Sequence, residues 1–93
     1  NAWPAFRYNC TIAVGKSFVE LQDYPQAIAA YQSALGGSPP SERWANEERL
    51  ARLFINVNKK STALEHLQRA LELAPPEKRP GLTNLRNNIV ARP

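Results

Sequence analysis

A chain of 93 residues is long enough for one small domain and too short for two. Its 43% apolar share excludes wholesale disorder, and no stretch approaches the roughly 18 apolar residues that a membrane-spanning helix needs. The net charge of +4 is uneven, with Arg7 and Lys16 against Glu20 and Asp23 in residues 1–40 and the other ten basic and six acidic side chains in residues 41–93; a surplus so modest, without a basic run, suits an acidic partner and argues against nucleic acid.

The predicted elements are all helical. In the first, Thr11, Val14, Gly15, Phe18 and Leu21 fall at steps of three, one, three and three, one stripe of a 3.6-residue helix. Trp3-Pro4-Ala5-Phe6 either lengthens this helix or covers its outer side. A break follows at Gln22-Asp23, where Asp23 suits the N-cap of a second helix near 24–37. That helix carries Ala27, Ile28, Tyr31, Ala34 and Leu35 on one side and stops at Gly36-Gly37 and Pro39-Pro40. Ser41 suits the cap of a third helix near 42–57, Asn58 a left-handed turn, and a fourth helix follows near 60–73. A fifth, near 77–91, presents Leu82, Leu85 and Ile89; Pro76 and Glu77 suit its first turn, and Pro80 delays its start.

Shifting the sequence by 36 residues lays apolar on apolar. Val14 meets Leu50, Gly15 meets Ala51, Phe18 meets Phe54 and Leu21 meets Val57. Ala27 then meets Ala63, Ile28 meets Leu64, Tyr31 meets Leu67, Ala34-Leu35 meets Ala70-Leu71, and Pro39-Pro40 meets Pro75-Pro76. So many size-matched coincidences in one register mark an internal repeat. Unit one spans about 8–41 and unit two about 44–77. The fifth helix fits the opening of a further unit after a 35-residue shift, with Leu85 under Leu50 and Ile89 under Phe54, and closes the stack.

At these residues the chain resembles the tetratricopeptide repeat family, whose unit of about 34 residues is an antiparallel helix pair. Gly15, Phe18, Asp23-Tyr24, Ala27, Tyr31, Ala34 and Pro39 fill the family's pattern, and Ala51, Phe54, Ala63, Leu67, Ala70 and Pro75 fill it again. Two departures stand out. Thr11 and Glu47 replace the family's early aromatic, and Asn58-Lys59-Lys60 lacks the tyrosine of the turn. The resemblance covers roughly residues 8–77 plus the closing helix, and implies one all-α domain over residues 1–93. Its architecture would be a right-handed superhelical stack of two antiparallel helix pairs with a C-terminal capping helix. It also implies a concave groove, lined by the first helix of each unit, that binds peptides.

The groove is expected on the helix faces opposite Val14 and Phe18. Unit one offers Asn9, Ile12, Ala13, Lys16 and Glu20, and unit two offers Ala45, Glu48, Arg49, Arg52 and Asn56. The closing helix adds Thr83, Asn84 and Asn87. Lys16, Arg52 and Asn87 form one row and Arg49 with Asn84 the next. Arginine, lysine and asparagine converging on one groove suit carboxylates, through charge-assisted and bidentate hydrogen bonds. The expected ligand is an extended acidic segment or a free C-terminus of a partner protein. Some family members hold a terminal carboxylate with a Lys/Asn/Arg set, but Ile12 stands where a polar member of that set belongs, so their ligand is not carried over. The competing account of these charges is a solvated face with surface ion pairs such as Glu48 with Arg52.

The remaining polar residues carry little chemistry. His66 is expected at the surface beside Glu65, and Cys10 as a half-buried inert thiol. Tyr24 and Tyr31 serve packing, and the adjacent Glu47 and Glu48 diverge from a helix and form no acid/base pair. There is no phosphate loop, CxxC, nucleophile elbow or metal-ligand spacing, so neither an enzyme nor a cofactor is expected. The alternative function is a structural scaffold or oligomerising part of a larger protein, since two units fall short of the three that usually bury a continuous core. Trp3, Phe6 and Trp44 are its candidate exposed ends, through which copies would associate. A first residue other than Met suggests a piece of something longer. A single cysteine fits a reducing compartment without establishing one, which slightly favours a cytoplasmic setting; the lack of a long apolar run predicts a soluble chain without membrane insertion.

Overall fold

In the computed structural model, residues 3–91 are described, with side chains from Ala5 onward, so the role expected of the Trp3 side chain lies outside the described residues. Five α-helices follow one another: α1 (Trp3–Glu20), α2 (Tyr24–Gly37), α3 (Arg43–Asn56), α4 (Lys60–Leu73) and α5 (Arg79–Ala91), with a single 3-10 turn at Pro76–Lys78 before the last. No strand occurs among the described residues, and none of the helices is long and apolar enough to cross a membrane. The segment around Pro4 lengthens α1 rather than folding over it.

The two pairs, α1 with α2 and α3 with α4, are turned by the same device. Gln22 and Asn58, 36 residues apart, both adopt left-handed backbone, with φ of 59° and 62°. In each turn the next residue donates its N–H to the phenylalanine carbonyl five positions earlier, Asp23 to Phe18 at 2.9 Å and Lys59 to Phe54 at 2.8 Å. Both bonds satisfy a carbonyl that the ending helix leaves open. Asp23 then caps α2 by accepting from the Gln26 N–H. Ser41 does not cap α3: the helix starts at Arg43, with Glu42 in the cap position making no side-chain cap bond. The Glu42 carboxylate accepts instead from the Tyr8 hydroxyl of α1, at 3.2 Å.

The helices bury two adjoining cores. Ala27, Ile28 and Tyr31 of α2 meet Leu50, Leu53 and Phe54 of α3 and Ala63 of α4, with Ile12, Phe18 and Val19 of α1 packed against them. Ala51, Leu67, Ala70, Ala74, Leu82 and Ile89 form the second, and Trp44 packs against it. Trp44 is thus half-buried between helices and is no open end, a correction to its expected place. Alanines at 27, 51, 63 and 70 have no exposed surface at all, because only a methyl group fits where neighbouring helix axes draw close. Along its shortest axis the chain measures 17 Å, two helices thick.

Gly15 makes the same kind of approach. A Cβ there would lie 3.0–3.3 Å from the ring of Tyr31, which is itself 3% exposed and cannot swing away. A Gly15→Leu chain is therefore expected to lose about 2–3 kcal/mol in urea unfolding, overpacking outweighing the better helix propensity of leucine. A Gly15→Leu midpoint equal to that of the parent chain would show that the α1–α2 contact is loose.

The apolar stripe of α1 divides in a way its periodicity does not foretell. Tyr8, Ile12, Gly15 and Val19 turn toward the core, whereas Val14 and Leu21 remain 48% and 75% exposed. Among the described residues, no helix packs on that side of α1.

Candidate functional site

Side chains from α1, α2 and α3 surround a concavity of 430 Å³. Its apolar floor is Val19, Tyr31 and Leu53; around them stand Lys16 and Glu20 of α1 and Arg49, Arg52 and Asn56 of α3. Five of the thirteen residues expected in a groove, Lys16, Glu20, Arg49, Arg52 and Asn56, are thereby brought together. Residues 16 and 20, like 49, 52 and 56, are one helical turn apart, so each helix presents a short row to the same hollow.

The two arginines are held differently. Arg49 donates from Nη1 to Asn46 Oδ1 at 2.6 Å, and its guanidinium lies over the Tyr31 ring, 5.9 Å from the centroid. One of its five N–H donors is thus engaged by Asn46, and the aromatic face supports the cation. Burial pushes the Tyr31 phenol above its ordinary pKa, opposed by the nearby Arg49 charge, so the ring stays a neutral hydroxyl at physiological pH. Arg52 forms a two-toothed contact with Glu48 Oε2, 3.1 Å from Nε and 2.8 Å from Nη2. This is the i,i+4 surface pair the sequence suggests, with the arginine side chain 59% exposed.

Behind Arg49 runs a buried polar line. Asn46, with no exposed surface, donates from Nδ2 to the Tyr8 hydroxyl and to Ser38 Oγ, both at 2.7 Å. Ser38 donates onward to the Ala34 carbonyl at 2.8 Å. Three helices are so joined through one amide, and every group in the line is satisfied. Tyr8, Ser38 and Asn46 escaped sequence reasoning because each looks like an ordinary surface residue beside apolar neighbours.

The other expected groove residues lie elsewhere. Asn9 is exposed on α1 outside the concavity, and Ile12 packs on the core. Glu48 reaches the rim only through Arg52. Asn84 and Asn87 are exposed; α5 instead brings Leu85 and Ile89 to an adjoining hollow of 270 Å³ shared with Arg52, Ile55 and Asn56. Asn87 lines neither of these hollows, since α5 packs on α4 and turns Leu85 and Ile89 toward α3.

Two further expectations are corrected. His66 is buried, 8% exposed, with Nδ1 2.6 Å from Glu47 Oε1 and its ring stacked on Phe54 at 5.3 Å between centroids. The pair is enclosed between α3 and α4, where a polar side chain persists only with a partner. Cys10 is exposed, not half-buried, since it lies on the side of α1 that no helix covers. Among the described residues no three His, Cys, Asp or Glu side chains stand close enough to share a metal ion. No protein-family model matches the chain, and no curated protein matches it.

Proposed function

We propose that the chain is a protein-interaction module of the tetratricopeptide type, binding an extended acidic segment or free C-terminus of a partner protein in the concavity between α1 and α3. The observation that carries this reading is the combination of an apolar floor, Val19, Tyr31 and Leu53, with Lys16, Arg49 and Arg52 at its edge. An apolar side chain of the ligand would be covered by the floor while adjacent carboxylates reach the cations, the usual division of labour in a binding cleft. Arg49, fixed by Asn46 and Tyr31, loses little freedom on binding. The reading is of a binding module and not a catalyst: the one buried histidine–carboxylate pair serves the α3–α4 contact.

The test is a peptide array of acidic hexamers carrying one leucine or phenylalanine, each with free and amidated C-terminus, titrated by fluorescence polarisation. Peptides that bind are expected to lose at least about tenfold in affinity to an Arg49→Glu/Arg52→Glu chain, since each charge-assisted hydrogen bond contributes about 1.5–3 kcal/mol. Affinity should also fall with added salt. If the double reversal leaves every peptide bound as before, the groove reading is wrong.

A further inference from the structure

We infer that the peptide concavity and the hollow beside α5 are two subsites for one ligand, an extended segment with an acidic residue between two apolar side chains spaced three positions apart. This rests on the peptide-binding reading above and adds the ligand's register to it. The two hollows, of 430 Å³ and 270 Å³, share Arg52 and Asn56 of α3. At 3.6 residues per turn, Leu53 and Ile55 point to opposite flanks of α3, and Arg52 and Asn56 lie on the crest between them. Leu53 lines the first hollow and Ile55 the second. α3 is therefore a ridge with an apolar seat on either side.

The chemistry of the ridge fixes what crosses it. In the second seat Ile55 and Leu85 are half-buried and so still open to a ligand, and Ile89, 1% exposed, closes it. Arg52 stands between the seats. Two of its five donors reach Glu48, which leaves three for a ligand carboxylate. Asn56, exposed beside it, can both donate to and accept from a backbone crossing the crest. The width of the ridge then sets the spacing, since a helix with its side chains is about 10 Å across. Polyproline-II backbone returns a side chain to the same edge every third residue, about 9 Å further on. A β-strand does so at about 7 or 13 Å, short of the far seat or beyond it.

The test titrates the 93-residue chain, by fluorescence polarisation, with peptides of one length. Each keeps a leucine followed by glutamate and places a second leucine two, three, four or seven residues after the first; a reference peptide has alanine for the second leucine. The spacing of three is expected to bind at least about tenfold tighter than the reference, and the other spacings within about twofold of it. Leu85→Gln, similar in size and helix propensity, should remove that gain and leave the reference peptide bound as before, which also shows that the variant is folded. Glutamine in place of the peptide's glutamate should cost about tenfold with the parent chain and nothing with Arg52→Gln. The inference is overturned if the spacing of three brings no gain, if the gain survives Leu85→Gln, or if glutamine costs the same in both chains. Tightest binding at a spacing of two, four or seven also overturns it, making the occupant a strand or a helix. The spacing series needs no variant, so it decides the matter even where Leu85→Gln does not fold. A reference peptide that fails to bind, or that binds Arg49→Glu/Arg52→Glu equally well, overturns instead the groove reading beneath the inference.

Discussion

Replacing His66 by alanine is expected to lower the unfolding free energy by about 3 kcal/mol, a large part of the 5–15 kcal/mol typical of a small domain. Glu47 and His66 have side chains only 7% and 10% exposed and meet at 2.6 Å across the α3–α4 contact. Without the imidazole, the carboxylate keeps its burial and loses its partner, and Phe54 loses the ring stacked on it at 5.3 Å. Buried polar pairs behave asymmetrically: removing one member is costly, whereas replacing both with apolar groups of similar size is close to neutral. A Glu47→Leu/His66→Leu chain should therefore be more stable than His66→Ala alone, with strong non-additivity in a double-mutant cycle. Urea midpoints of the single and double variants check this. Single-variant losses that simply add would mean that the two side chains act independently and that the short contact contributes nothing.

That pair also shows where sequence reasoning stops. Helix positions were legible because Asp23, Gly36-Gly37, the double prolines and Asn58 punctuate runs of 3.6-residue periodicity, and each of these has a local physical effect on the backbone. The grouping of Lys16 with Arg49, Arg52 and Asn56 was legible too, because it follows from helix phase and the 36-residue register. His66 was not, because its burial depends on a carboxylate 19 positions earlier on another helix. One signal was present: relative to unit one, Glu47 replaces Thr11 and His66 replaces Ala30, so two departures from the repeat fall together in space. Asn46 in place of Cys10 is a third departure of the same kind. Exposure of Val14 and Leu21 was hidden for a different reason. Periodicity records which face is apolar, not whether a neighbouring helix arrives to cover it. Asn84 and Asn87 stay exposed because α5 packs on α4 and aims Leu85 and Ile89, not its asparagines, at the neighbouring hollow.

An Asn46→Ala substitution is expected to damage both stability and peptide binding, and a Tyr8→Phe substitution stability alone. The amide of Asn46 lies fully buried and makes three contacts, to Tyr8, Ser38 and Arg49. Truncation leaves a small cavity and removes the donor to two buried hydroxyls, although Tyr8 can still donate to Glu42 and Ser38 to the Ala34 carbonyl. The expected loss is about 2–3 kcal/mol, less than a wholly unsatisfied network would lose. Arg49 meanwhile retains the Tyr31 face but not the 2.6 Å bond that fixes its head, so ordering it on a ligand becomes costlier by about 1 kcal/mol, roughly fivefold in affinity. In Tyr8→Phe the Asn46–Arg49 bond is untouched, and about 1 kcal/mol of stability should go with no change in affinity. Peptide titrations made well below both unfolding midpoints separate the two effects. Equal weakening by Tyr8→Phe and Asn46→Ala would trace the loss to the packing of α1 against α3; weakening by Asn46→Ala alone would make the buried amide the residue that positions the groove's central arginine.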